Sequence, residues 1–327
     1  MSPILLSCLV GLLCLAGLFA VLLAAAGYVG FIVGLRREKP KQEPEGRPEK
    51  MGREADRAAG KKLLFSLNPE DVSLRSRRDG ILLKGWYVPA PAPSKKLVIF
   101  AHGYHCDGPN EFADQLAFYR GMNYHCLYPD HRAHGRSEGK YIGFGALEAP
   151  DLLDWARVYI ERLGEDVEIV LHGISMGGAT VTLCNALDPP PQIKRIIADC
   201  PYTNALDQMR HTLDMKMHLR FEPLLQTAAL WCRLLAGYSL QTDADPLGKL
   251  PRAKLPMLFI HGEADDFVCF WMGQRLYEAC PTEKDFLWVP GAVHAVSHNE
   301  DTPAYEAKVR AFLGEKETVA SAVPLSK

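Results

Sequence analysis

Val167-Glu168-Ile169-Val170-Leu171-His172-Gly173-Ile174-Ser175-Met176-Gly177-Gly178 is the stretch on which the reading turns. A short apolar run of strand length ends at Gly173, and helical periodicity begins at Met176. A serine at such a junction sits on a sharp, strained turn, so the residues two away on each side must be small. Gly173 and Gly177 meet that demand, and Gly178 permits close packing of the helix that follows. With 27 Gly in the chain, a Gly-x-Ser-x-Gly string arises by chance roughly 0.08 times. The strand-to-helix placement lowers that further.

Outward from this junction the chain alternates strands and helices. Strands are expected at 72–75, 81–88, 97–101, 124–128, 167–171, 193–198, 257–260 and 286–289. Helices are expected at 111–121, 147–163, 176–187, 270–279 and 303–313. Short apolar strands alternating with helices predict an α/β fold with a mostly parallel sheet flanked by helices. Residues 203–250 break the alternation with helix-like, apolar segments, among them Met209, Met215, Met217, Leu225, Trp231 and Leu235. They read as a helical cap inserted over the sheet edge, either as cover for the core or as the lining of an acyl pocket.

A serine hydroxyl needs a base, and the base an orienting acid. On this topology they follow in the order serine, acid, histidine. Asp265 and Asp266 follow the strand at 257–260, and His294 follows the last strand, in Pro290-Gly291-Ala292-Val293-His294. His298 is a weaker candidate base, expected at the surface. An oxyanion needs two aimed backbone N–H groups. Met176 offers one, and Tyr104, in His102-Gly103-Tyr104 after the strand at 97–101, offers the other. His131 and His134 form an HxxH string without the glutamate of a zinc protease, so no metal and no cofactor are expected.

The ends differ from this core. No Asp, Glu, Lys or Arg precedes Arg36, and 27 of the first 35 residues are hydrophobic. That is longer than the ~20 residues that cross a bilayer. A cleaved signal with Ala24-Ala25-Ala26 as its site is the rival. The run exceeds the ~7–15 residues of a signal core and no basic residue leads it. Residues 1–35 therefore read as a single-pass transmembrane anchor. Arg36, Arg37, Lys39 and Lys41 follow the span, which puts the catalytic domain in the cytoplasm. Residues 36–60, with 14 charges and Pro40, Pro44 and Pro48, read as an unstructured linker. The domain then covers 61–315, with the cap at about 203–250, and 316–327 is a C-terminal tail. The nine cysteines include no CxxC pair and suggest no disulfide framework. A net charge of −2 gives no reason to expect nucleic acid.

Taken together, His102-Gly103-Tyr104, the turn Asp130 to Ser137, the stretch around Ser175, His261 to Val268 and Gly291 to His294 resemble the α/β-hydrolase superfamily, and within it bacterial membrane-anchored serine esterases. The resemblance covers about 61–315. It implies a nucleophile elbow at Ser175 and a Ser175–His294–Asp265 catalytic triad, with Asp265 favoured because the family's acid stands four residues after the histidine that here is His261, in His261-Gly262. It implies carboxylic ester hydrolysis, of a small-molecule or lipid-derived ester, through an acyl-enzyme. A peptidase, a thioesterase or lysophospholipase on the same fold, and a non-enzymatic membrane-tethered module are the alternatives. Two positions depart from the family pattern: Cys106 and Ala133 stand where glycine is common.

Overall fold

The computed structural model describes residues 2–37 and 51–315. Helix α1 (Pro3–Leu35) is followed by α2 (Met51–Ser66), β1 (Glu70–Arg75), β2 (Leu82–Val88) and β3 (Lys96–Ala101). Then come α3 (Gly108–Phe112), α4 (Leu116–Gly121), β4 (His125–Pro129), α5 (Glu148–Leu163), β5 (Glu168–Ile174), α6 (Met176–Asn185) and β6 (Ile193–Asp199). The cap region holds α7 (Ala205–Met217), α8 (Glu222–Trp231) and the short α9 (Pro246–Lys249). The chain closes with β7 (Met257–Gly262), α10 (Phe270–Ala279), β8 (Lys284–Val289), α11 (Ser297–Glu300) and α12 (Thr302–Leu313).

The eight strands form one sheet in the order β1-β2-β4-β3-β5-β6-β7-β8. β1–β2 and β2–β4 are antiparallel and the remaining pairs parallel. The parallel strands read as continuous apolar runs because helices cover both of their faces. On one face α5, α6 and α10 pack against Leu97, Ile99, Leu171 and Phe259. On the other, α2, α3, α4 and α12 pack against Val98, Phe100, Val170 and Leu258. A third apolar cluster joins the cap to Met176, Ala179 and the end of α1. Every expected strand and helix has its counterpart; the edges move by a few residues, and the expected helix at 111–121 is broken by a 3₁₀ turn at Ala113–Gln115.

The linker reading of 36–60 requires correction. Residues 38–50 lie outside the described residues, as does the tail at 316–327, but 51–60 are helical. Charge excess keeps a segment unfolded only when its charges find no partners. Here Arg53 and Arg57 pair with the buried Glu111, the latter at 2.6 Å, and Gly60 lies against the backbone of Ala113. Residues 36–37 are ordered too: Arg36 bridges to Tyr141, and the Arg37 N–H donates to the Lys140 carbonyl at 3.0 Å.

α1 is long and apolar enough to cross a membrane. Of its 33 residues only Gly27, Phe31 and Leu35 are buried. All nine cysteines are free.

Candidate active site

β5 is fourth from one edge of the sheet, and Ser175 stands where it hands over to α6. The serine has φ 59° and ψ −117°, a conformation that a non-glycine residue holds only under constraint from its surroundings. The constraint is visible in the glycines. A Cβ on Gly177 would fall 1.7 Å from the Ala101 carbonyl oxygen, and one on Gly173 2.1 Å from that of Gly177. The Ser175 N–H donates to the Asp199 carbonyl at 2.9 Å. The turn is thereby wedged between β3 and β6.

Asp265 leaves the C-terminal end of β7 and His294 that of β8, which brings both to the same edge as Ser175. His294 Nε2 lies 2.9 Å from Ser175 Oγ, and its Nδ1 lies 2.8 Å from Asp265 Oδ2. A carboxylate can only accept, so Nδ1 carries the proton and Nε2 accepts from the serine hydroxyl. The other carboxylate oxygen, Oδ1, accepts the N–H groups of Phe267 and Val268 at 3.0 and 2.9 Å. Burial pushes Asp265 up, but hydrogen bonds to His261 and His294 outweigh it and hold the group down at about 2. It is an anion at neutral pH, as an orienting acid must be. Asp266 is exposed, with its carbonyl facing His211 Nε2 at 2.6 Å. Asp265 is thus the carboxylate that meets the imidazole.

His298 does not lie at the surface. It is buried between Asp114 and Glu306, 3.7 and 3.5 Å away. That pair ties α11 to α12 and to the turn before α4, because a buried imidazole between two carboxylates keeps its charge.

Met176 opens α6, where the first N–H groups have no intrahelical acceptor. Across from it, a Cβ on Gly103 would stand 3.5 Å from Ser175 Cβ. The Gly103 N–H is committed to Glu111 Oε2 at 3.0 Å, which leaves Tyr104 as the next amide along that loop. Glu111 is a residue the sequence reading missed. Buried beneath the loop and paired with Arg53 and Arg57, it is held well below the usual carboxylate range although burial alone would raise it. Asp199 was missed as well. Burial lifts it to about 6, and Tyr305 Oη donates to it at 3.1 Å. Neither residue has a local sequence signal, since both partners come from distant segments.

The histidine cluster is structural. His102 Nδ1 donates to the Gly103 carbonyl at 2.7 Å and its Nε2 accepts the His131 N–H at 2.9 Å. Burial pushes His131 and His134 well down, so both are neutral. Cys200, Asp265 and His294 bring ligand atoms within 4.8 Å of one another. His294 has spent both nitrogens, though, and burial pushes the Cys200 thiol up and keeps it protonated. Ala133, one of the two departures from the family pattern, adopts φ 60°. Glycine would hold that angle without the cost of about 1–2 kcal/mol that a Cβ brings. A cleft of about 410 Å³ opens between α7, α8 and the start of α10, floored by Leu213, Phe221, Leu225 and Trp271. Ser175 does not line it.

Comparison with known proteins agrees with this fold. The profile of the serine aminopeptidase family S33 matches residues 92–247. The uncharacterized protein YqkD of Bacillus subtilis (strain 168) is 29% identical over 234 residues, covering 72% of this chain and 76% of that protein. The lysophosphatidylserine lipase ABHD12 of Rattus norvegicus is 23% identical over 208 residues, 62% of this chain but only 49% of that protein. The solved structure of the Pyrococcus furiosus esterase Pf2001 superposes with a TM-score of 0.64 at 23% identity, covering 85% of this chain and 97% of that one. The chain has the α/β-hydrolase fold, and these matches support a hydrolase of that superfamily.

Proposed function

We propose that the chain is a serine hydrolase that cleaves carboxylic esters through an acyl-enzyme. The observation that carries this is the unbroken relay from Ser175 Oγ through His294 to Asp265, at 2.9 and 2.8 Å. His294 Nε2 takes the hydroxyl proton as Ser175 Oγ bonds to the ester carbonyl carbon. The carbonyl oxygen becomes an oxyanion, held by the N–H groups of Tyr104 and Met176. Asp265 stabilises the imidazolium without taking its proton. Collapse breaks the bond to the alkoxy group, which leaves as an alcohol with the proton from His294. Water then gives a proton to Nε2 and attacks the acyl carbon. The carboxylic acid departs as Ser175 regains its proton.

The lipase and the esterase among the similar proteins support an ester, as does the apolar cap beside the site, while the serine aminopeptidase profile is what supports an amide. Read as a single-pass anchor, α1 supports a membrane location and a lipid-derived substrate. The direct test is Ser175→Ala assayed on p-nitrophenyl esters, lysophospholipids, acyl thioesters and peptide amides. Ester turnover should fall by at least about 10⁴-fold, with the fold intact by circular dichroism. A fluorophosphonate probe should label the parent and not the variant. Retained ester hydrolysis in Ser175→Ala overturns the assignment, and cleavage of amides alone favours a peptidase.

A further inference from the structure

α1 is more than a tether. Thirty-three residues at about 1.5 Å each give a helix of roughly 50 Å, against about 30 Å of hydrocarbon in a bilayer. If the span begins at Pro3, hydrocarbon is filled by about residue 22. Contacts with the rest of the protein start at the next residue. Thr227 Oγ1 faces the Leu23 carbonyl at 3.5 Å, and Trp231 Nε1 donates to the Ala24 carbonyl at 2.8 Å. Gly27 meets Thr227 so closely that a Cβ would lie 2.3 Å from its Oγ1, and Gly30 faces Ala228. Phe31 is buried with Ala133, Phe144 and Met176. α8 therefore grips α1 within about 13 Å of the hydrocarbon edge, with no intervening linker.

The cap is apolar on its outside where this grip holds it. Leu230, Leu234 and Leu235 are 54%, 63% and 44% exposed, and Met217, at the end of α7, and Phe221, just before α8, are exposed as well. Exposed leucines at i and i+4 give one outward stripe, where a globular surface would put charges. The face of α1 opposite α8 is apolar as well, with Val29 and Val33 exposed. Trp231 and Tyr28 stack edge to face at 5.4 Å between the two helices, the residue types that collect at the headgroup level.

We infer that the stripe Leu230, Leu234 and Leu235, on the last turn of α8 and the π-helical turn Cys232–Ala236 that continues it, is a lipid-docking surface, seated in the headgroup region of the leaflet from which α1 emerges. The surface is continuous with α1, so the same bilayer that takes the helix meets the stripe. Resting on the ester-hydrolase reading, this presents the site to single-chain amphiphilic esters held in that leaflet.

The test uses the full chain in phosphatidylcholine–phosphatidylglycerol vesicles. A benzophenone amino acid in place of Leu234 should crosslink to phospholipid, while the same group in place of Val158, exposed on α5, should not. A crosslink from position 234 to a second copy of the chain, or no lipid adduct above that at 158, overturns the proposal. A second arm compares the parent with L230S/L234S/L235S. Hydrolysis of soluble p-nitrophenyl acetate should be unchanged, and that of a monoacyl ester embedded in the vesicles should fall about tenfold or more. Equal hydrolysis of the embedded ester by both overturns the docking surface. Should the triple variant fail to fold, the crosslink decides alone. Should the parent hydrolyse neither ester, the reading of the function fails while the lipid adduct still decides the surface.

Discussion

His298 shows how a residue with a plausible local spacing takes a different role from its surroundings. Its imidazole meets the Asp114 and Glu306 carboxylates, with the Tyr305 ring at 5.1 Å. Burial alone would lower it, but the two carboxylates outweigh that and lift it to about 9. An unfolded histidine titrates at about 6.5. The folded state therefore holds the proton more tightly, and its contribution to stability is full below about pH 6.5. It is lost as pH rises through about 9, and amounts to a few kcal/mol at most. His298→Gln should be clearly less stable than the parent at pH 6, with the gap closing by pH 9.5; urea unfolding at both values checks this. A gap that stays constant with pH would mean that packing, not charge, is what His298 supplies. The sequence showed Ser175, Asp265 and His294 because order along the chain and strand-end position constrain them. It could not show which side of the 265–266 pair faces inward, since that depends on a turn whose N–H groups, at Phe267 and Val268, grip Asp265 Oδ1. Nor could it place His298 inside, because both of its carboxylate partners are fixed by tertiary packing.

At the scale of elements, α2 is the instructive case. Its composition is that of a solvated segment, and no apolar periodicity marks its first turns. What orders it is a buried carboxylate elsewhere. Glu111 sits under the loop that carries Gly103 and Tyr104, accepting the Gly103 N–H, and without Arg53 and Arg57 it would be an unpaired buried anion. Breaking such an arrangement by removing one side costs about 3–5 kcal/mol. A fragment beginning at residue 61 should accordingly unfold at a lower temperature than the full chain in the same detergent. Glu111→Gln in the full chain should lower kcat on p-nitrophenyl esters more than it raises KM, because the loop it holds supplies an oxyanion donor and little substrate contact. An equal melting temperature for the 61–327 fragment would show that the α2 contacts are dispensable. The strands, by contrast, were legible throughout, since a run such as 97–101 has few environments open to it besides the centre of a covered parallel sheet.

The whole molecule is built so that its first helix and its catalytic end share a wall. Tyr104 Oη donates to the Gly34 carbonyl at 2.8 Å, the Ile142 N–H to the Leu35 carbonyl at 2.7 Å, and Arg37 Nη2 to the Gly135 carbonyl at 2.8 Å. The loop offering one oxyanion N–H is thus braced by the last turn of α1. A helix read from composition as an anchor has a face, spaced at Gly27, Phe31 and Leu35, that belongs to the core. That spacing is visible in the sequence only afterwards, because an all-apolar helix hides which of its faces meets protein. The consequence is testable with two glycines. Gly27→Leu forces a side chain into Thr227, so α8 must move off α1. Overpacking of this kind costs about 1–3 kcal/mol. Gly11→Leu adds the same side chain where a Cβ meets nothing within 4 Å. In lipid nanodiscs, Gly27→Leu should lower the thermal inactivation temperature by several degrees and reduce turnover of soluble esters, while Gly11→Leu changes neither. Equal behaviour of the two variants would reduce α1 to a membrane anchor and detach it from the site.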